Sequence, residues 1–371
     1  MKILFYTDTP DAWRHGIWFH RINTPALALD KRGHGVKQMS LGASIPKNIL
    51  EWPDVVVFGR TYPSNLDPIS RLYEHKKLGQ RIVYDMDDDF WEVTKDNPSV
   101  LVSNALKDQY EGLIKGADVV VTPSTVLAKK FKKHFKKQVF ICPNGVDFEN
   151  YLPRPANKNE LIIGYMGAAS HWKDLAIIGE ALSELAKKHN FLFTIYGITG
   201  ESMEAAMYYY QRMLSSNFAP EKNEYYKSAL DFYASLKGVK MYHVPFMPPE
   251  LHPAVLSKVD FDIGLAPLED TPFNRGKSCI KFYEYAAVHT VTVASDNLPY
   301  SEEVKYRAKN TVKDWYKKIE RLIVDRDFRD KVLKEQTDWV RENRSLPAIG
   351  LKWELALQRP SIKGLTVANQ R

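Results

Sequence analysis

The sequence predicts an α/β protein of two doubly wound parallel sheets that face each other across a cleft. Three observations carry that expectation. Short apolar runs alternate with helical patterns from the first residues onward, the pattern of strand–helix–strand crossovers. The alternation breaks once, at the loop "NGVDFENYLPRPANKNE", and then restarts. At 371 residues the chain also exceeds what one hydrophobic core serves well and suits two.

The elements follow in order. "ILFYT", "VVVF", "RIVYD", "DVVVT" and "QVFICP" are the strands of a first Rossmann-like half, residues 1–155. "LIIGYMG", "FLFTIYG", "VKMYHV", "FDIGLAPL" and "TVTVAS" are those of a second, residues 156–344. Ligands of such sheets gather at the carboxyl ends of the strands, so the cleft is the expected site. A helical insertion at about 201–236 carries Tyr208, Tyr209 and Tyr210, whose rings either pack or stack on an acceptor. The tail ends in "LKWELAL", and a helix at about 345–360 is expected to dock Trp353 back on the first half.

With 44% hydrophobic and 26% charged residues, the composition is that of a packed protein and excludes a disordered one. No apolar run approaches the roughly 18 residues of a spanning helix, and "MKILFYTDTP" lacks the signal-peptide pattern, so a cytoplasmic location is expected. Cys142 and Cys279 sit in no CxxC or Cys/His spacing and read as plain thiols. The net charge of +7 suits an acidic partner such as nucleotide phosphate, anionic lipid or nucleic acid. Its densest part is "AKKFKKHFKK", where Leu127, Phe131 and Phe135 recur every four residues. A helix there buries the apolar stripe and turns the lysines of residues 129–137 to solvent or to an anionic surface, DNA or a membrane. Peripheral membrane attachment through residues 124–137 stays open.

Chemistry concentrates in three segments. "YDMDDDFW" sets Asp85, Asp87, Asp88 and Asp89 after a strand. They read as a site for a hard divalent metal, as acceptor-orienting carboxylates at Asp87 or Asp88, or as a turn cap at Asp89. "PLEDTPFNRGKSCIKFYEYAA" reads as a loop entering a helix, with Ser278 as N-cap and Arg275, Lys277 and Lys281 as cations beside the helix start, an arrangement that suits a diphosphate. Glu284, further along that helix, either accepts from ribose hydroxyls or pairs with Lys281. "GYMGAASHWKDL" offers a second anion cradle through Gly167, Ser170 and His171, and Gly16 looks across from the first half.

"NGVDFENYLP", "GYMGAASHWKDL" and "PLEDTPFNRGKSCIKFYEYAA" together resemble retaining glycosyltransferases of the GT-B fold, the family 4-like group of bacterial and phage genomes. "FHRINTPALALDKRGHGV" resembles that group's first helix, and "VYDMDDDFW" its aspartate signature; the resemblance spans most of residues 1–355. It implies a hydroxyl acceptor on the first half and a nucleotide-diphosphate sugar on the second. It also implies transfer with retention, without metal or cofactor. Glu284 matches the second glutamate of the Glu-x7-Glu motif and would hold the donor ribose. Arg275, Lys277 and Lys281 would neutralise the diphosphate, Gly167, Ser170 and His171 would line the loop beneath it, and the backbone from Val244 to Phe246 would hold the base. Arg275 and Lys281, with Asp87 and Asp88 on the acceptor side, form the implied catalytic set. Gly276 stands where the motif has its first glutamate, and Glu269 is the nearest substitute. The acceptor reads as a glycan, a lipid-linked sugar or a small molecule, with two alternatives: modified bases in DNA, or no acceptor at all in a non-catalytic nucleotide-sugar binder.

Overall fold

A computed structural model describes residues 1–7, 16–42, 44–60, 67–95, 97, 99–152, 160–168, 171–198 and 224–358. The expected boundary at 155 and the tyrosines Tyr208–Tyr210 lie outside them. The first sheet contains β1 (Lys2–Thr7), β2 (Gly35–Ser40), β3 (Val55–Phe58), β4 (Arg81–Asp85), β5 (Val119–Thr122) and β6 (Val139–Ile141), all parallel, in the order β2-β1-β3-β4-β5-β6. The second contains β7 (Ile162–Met166), β8 (Leu192–Tyr196), β9 (Lys240–Val244), β10 (Ile263–Ala266), β11 (Val291–Ser295) and β12 (Arg307–Ala308), parallel in the order β12-β11-β10-β7-β8-β9.

Both sheets reverse their winding beside their first strand, between β1 and β3 and between β7 and β10. At such a switch point neighbouring crossovers leave on opposite faces, which opens a crevice at the strands' carboxyl ends. Two strands, β2 and β12, fall where the sequence shows no apolar run. Both lie at sheet edges, and every residue of β2 keeps some contact with solvent.

The helix Thr125–Phe135 forms as the four-residue spacing predicts. Leu127 and Phe131 are fully buried, while Lys129, Lys132, Lys133 and Lys136 are exposed. Ser124 caps it by accepting from the Leu127 amide at 3.3 Å. The helix Arg326–Arg344 packs on the second half, where Trp339 meets Phe282 at 5.7 Å between ring centres. At Ser345 the chain crosses back. The helix Leu346–Leu357 then buries Trp353 among Ile3, Val57, Val83 and Val121 of the first half, 6.0 Å from the Phe5 ring.

A buried ion pair ties the first half together. Arg21, on a turn of π-helix Trp18–Asn23, is 2% exposed and donates from Nε and Nη2 to the two oxygens of Asp85, at 2.9 and 2.5 Å. Its Nη1 donates to the Cys142 carbonyl at 2.7 Å and to Asn144 Oδ1 at 2.8 Å. The guanidinium also lies 5.2 Å from the Trp353 ring. One side chain therefore joins the carboxyl end of β4 and the loop after β6 to the C-terminal helix. Burial opposes its charge, but the Asp85 carboxylate outweighs burial and raises the pKa of Arg21 above its ordinary value.

Removing one member of a buried pair strands the other charge. Arg21→Ala and Asp85→Ala are each expected to cost about 3–5 kcal/mol in urea denaturation, whereas Arg21→Met with Asp85→Leu should cost clearly less than the sum. Additive losses would show that the two side chains act independently.

Candidate active site

A cavity of about 340 Å³ opens between the carboxyl ends of the two sheets. Gly16, Phe19, His20, Arg60, Asp87 and Asp88 line it from the first half. Gly167, His171, Tyr196, Phe246, His252, Lys277, Ser278, Lys281 and Glu284 line it from the second. Residues 200 positions apart meet here because both switch points face the same space.

On the first half, every aspartate of "DMDDD" has a cation of its own chain. Asp85 is held by Arg21. Arg60 lies 3.0 Å from Asp87 and 3.1 Å from Asp88. Lys130 donates to both oxygens of Asp89, at 2.7 and 2.9 Å, and Asp89 Oδ1 also accepts from the Trp91 amide at 3.3 Å. Asp89 thus takes the turn-capping role. The four carboxylates fan out onto three cations instead of converging on one point. Burial pushes the Asp87 carboxyl up to about 6, with Asp85 and Asp88 adding to the rise and Arg60 opposing it.

On the second half the two lysines that line the cavity are unmatched among the described residues. Lys281 and Lys277 have no ion-pair partner among the described residues; their ammonium groups lie 5.4 Å from the Tyr165 ring and 4.8 Å from the Phe273 ring. Burial lowers Lys281 to about 8, with Lys277 adding to the effect and Asp174 and Glu284 opposing it. His171 pairs with Asp174 at 2.6 Å, yet burial and the two lysines hold its pKa at about 4, so it is neutral at pH 7. The wall beneath is backbone. Gly197 has φ +98°, and a Cβ on it would stand 2.6 Å from the Gly167 carbonyl oxygen, so the two turns pack glycine on glycine.

Glu284 is 3% exposed and accepts at Oε1 from His252 Nε2 at 2.8 Å and from Tyr151 Oη at 3.1 Å, with His20 Nε2 at 3.7 Å. Burial opposes its charge, but these partners prevail and hold the carboxyl at about 2. None of the three contacts uses Oε2. His252 is itself fixed by Tyr196, whose hydroxyl lies 2.9 Å from Nδ1 and whose ring stacks on it at 5.3 Å.

Several expectations change. Arg275 is about half exposed, is gripped by Asp270 at 2.6 and 2.9 Å, and does not line the cavity. Ser278 is not the N-cap. The helix runs Ile280–Ala287 from Cys279, and the Ser278 hydroxyl accepts from Asn144 Nδ2 at 2.8 Å, a link between the halves. Gly167 lines the cavity, but its amide is spent on the Tyr196 carbonyl. The Val244 carbonyl likewise accepts from Gly197, and of the 244–246 stretch only Phe246 reaches the cavity. Glu269 stays outside it, and Ser170 lies outside the described residues. His20, His252, Tyr196, Tyr151 and Arg60 went unread. Of these, only His252 had a local signal, a helix start marked by Pro253 just after a strand's carboxyl end.

No protein-family model matches the sequence, and no curated protein matches it. Solved structures do share the architecture. A glycosyltransferase from Rickettsia africae ESF-5 aligns with TM-score 0.59 at 16% identity over 96% of this chain and 97% of that one. HepE from Anabaena, in complex with UDP and glucose, aligns with TM-score 0.60 at 13% identity over 96% and 99%. An alpha-glucosyltransferase in complex with UDP gives 0.61 at 14% over 96% and 100%. The chain has the GT-B fold.

Within this GT-B chain, Gly276 is a packing position. Its carbonyl accepts from Ser124 Oγ at 2.7 Å, and a Cβ there would stand 3.3 Å from Leu127 Cδ2 and 3.4 Å from the Asp89 Cβ. Both neighbours belong to the first half, so a side chain at 276 would push the halves apart and bring like charge to Asp89. Gly276→Glu is therefore expected to lower stability by about 1–3 kcal/mol in thermal or urea unfolding. An unchanged melting temperature would show that the interface has room there.

Proposed function

We propose that the protein transfers a sugar from a nucleotide-diphosphate sugar to an acceptor hydroxyl. The observation that carries this reading is the pair Lys277 and Lys281, without an ion-pair partner among the described residues, beside the start of the helix Ile280–Ala287, in a cleft whose other described charges are matched. Fixed, unpaired cations in a partly desolvated site favour a ligand with concentrated negative charge, and a diphosphate fits. The presence of UDP in the HepE and alpha-glucosyltransferase structures supports a nucleotide as the carrier of that charge.

In the proposed reaction the bond from the anomeric carbon to the diphosphate breaks, and its electron pair leaves on the diphosphate oxygen beside Lys281 and Lys277. The acceptor oxygen bonds to the anomeric carbon from the same face, and its proton passes to the departing phosphate, giving retention. Asp87 and Asp88, held by Arg60, orient the acceptor hydroxyl. Glu284 receives ribose hydroxyls on Oε2. The two lysines supply the charge stabilisation for which other transferases use a metal. The exposed Lys129, Lys132, Lys133 and Lys136 support an anionic surface, DNA or membrane, as the carrier of the acceptor.

The first test is a thermal-shift panel of nucleoside diphosphates and their sugar conjugates, with and without EDTA. A ligand at 100 times its Kd stabilises the fold by about 2.7 kcal/mol. One nucleotide series should raise the melting temperature equally with and without EDTA, and no shift with any nucleotide would overturn the reading. Lys281→Ala should lower turnover by roughly 10²-fold, while Arg275→Ala should stay close to the unaltered protein. Lys281 is charged below its pKa of about 8 and neutral above it. Affinity for UDP should therefore fall from pH 7 to pH 9 in calorimetric titrations, and Lys281→Met should flatten that dependence.

A further inference from the structure

The side-chain amide of Asn144 lies where the two halves meet, and chemistry assigns both of its ends. A guanidinium has no acceptor, so Arg21 Nη1, 2.8 Å away, must donate, and the amide atom facing it must be Oδ1. That leaves Nδ2, which can only donate, facing Ser278 Oγ at 2.8 Å. Asn144 is 3% exposed, and Arg21 is itself held by both oxygens of Asp85. Turning the amide over would set donor against donor in a buried place, so its direction is fixed.

The consequence falls on Ser278. Its oxygen already accepts from Asn144, so its own hydrogen must point elsewhere, and no acceptor for it is present among the described residues. Ser278 is partly exposed and lines the cavity on the same wall as Lys277 and Lys281; Asn144 lines the cavity too. The relay Arg21, Asn144, Ser278 thus carries one polarity from a buried charge of the first half to the cavity wall of the second. It ends in a free O–H donor. Such a donor gains most from an anionic oxygen, whose charge roughly doubles the strength of the bond.

We propose that Asn144 is a positioning residue for the sugar donor: held by Arg21, it fixes the Ser278 hydroxyl as a hydrogen-bond donor to an anionic oxygen of the diphosphate. The proposal rests on the nucleotide-sugar reading and deepens it. Full affinity for the diphosphate then depends on a first-half residue that acts through another side chain, and so on the halves being joined at this bond.

Calorimetric titration with UDP, inorganic pyrophosphate and uridine tests it. Ser278→Ala should weaken UDP and pyrophosphate by about tenfold, as expected for one hydrogen bond to a charged group, and leave uridine unchanged. Ser278→Thr, which keeps the hydroxyl, should restore both. Asn144→Asp still accepts from Arg21 but presents Ser278 with an acceptor, so the hydroxyl turns away from the cavity. It should weaken UDP at least as much as Ser278→Ala does, and much of that loss should vanish when it is made in the Ser278→Ala background. The added negative charge by itself would cost the same in both backgrounds. Asn144→Ala, which frees the hydroxyl to rotate, serves in the same cycle if Asn144→Asp does not fold. Unchanged UDP affinity in Ser278→Ala overturns the proposal, and so does an equal loss for uridine or full additivity in the cycle. UDP binding that persists in those cases leaves the nucleotide-sugar reading standing, whereas absence of binding by any nucleoside diphosphate removes that reading and the relay's role with it.

Discussion

The Arg21–Asp85 pair is the constraint on which the cleft depends. A guanidinium that is 2% exposed must have every donor directed at something, and here the partners come from the carboxyl end of β4 and the loop after β6. The π-helical turn Trp18–Asn23 sets Arg21 at that junction, and the residue before it, His20, is thereby turned into the cavity. Asn144, held by Arg21 through its carbonyl oxygen, offers its amide nitrogen to Ser278 on the other half. A single buried charge thus propagates across both halves through hydrogen bonds of fixed direction.

Matched and unmatched charge separates scaffold from site. The aspartates are the most conspicuous charges in the sequence, and all four are answered by cations within the chain. Lys277 and Lys281 are less conspicuous and, among the described residues, unanswered, and Lys281 is partly desolvated besides. A charge that the fold has already neutralised can still accept from a hydroxyl, but it adds little net attraction for an anion. A charge held in place without a partner is preorganised for one.

Much of the fold could be read from local pattern because buried parallel strands are continuous apolar runs, as in "VVVF" and "RIVYD". The two strands that escaped, β2 and β12, are edge strands, where one side of the ladder meets solvent and the apolar signal thins out. Lys277, Lys281 and Glu284 could be placed because one loop and one helix carry all three. Arg275 misled because a sequence shows that a cation is near a helix start, but not that Asp270 stands ready to grip it. His20 meets Glu284 only through the joining of the halves and His252 only through the folding of the second, and a contact across 264 or 32 positions leaves no trace in spacing.

The return of the chain at Ser345 has a mechanical meaning. The polypeptide passes between the halves twice, and the two passages lie side by side: the Val146 amide donates to the Arg344 carbonyl at 2.9 Å, and a Cβ on Gly145 would stand 2.5 Å from that same oxygen. A single connecting segment would leave the halves free to swing, twist and slide. Two segments laced together at one edge restrain twist and translation, and the Ser124–Gly276 and Asn144–Ser278 hydrogen bonds tie the facing surfaces as well. The halves are therefore coupled as a book is at its spine, and whatever enters between them meets both pages in the same register each time.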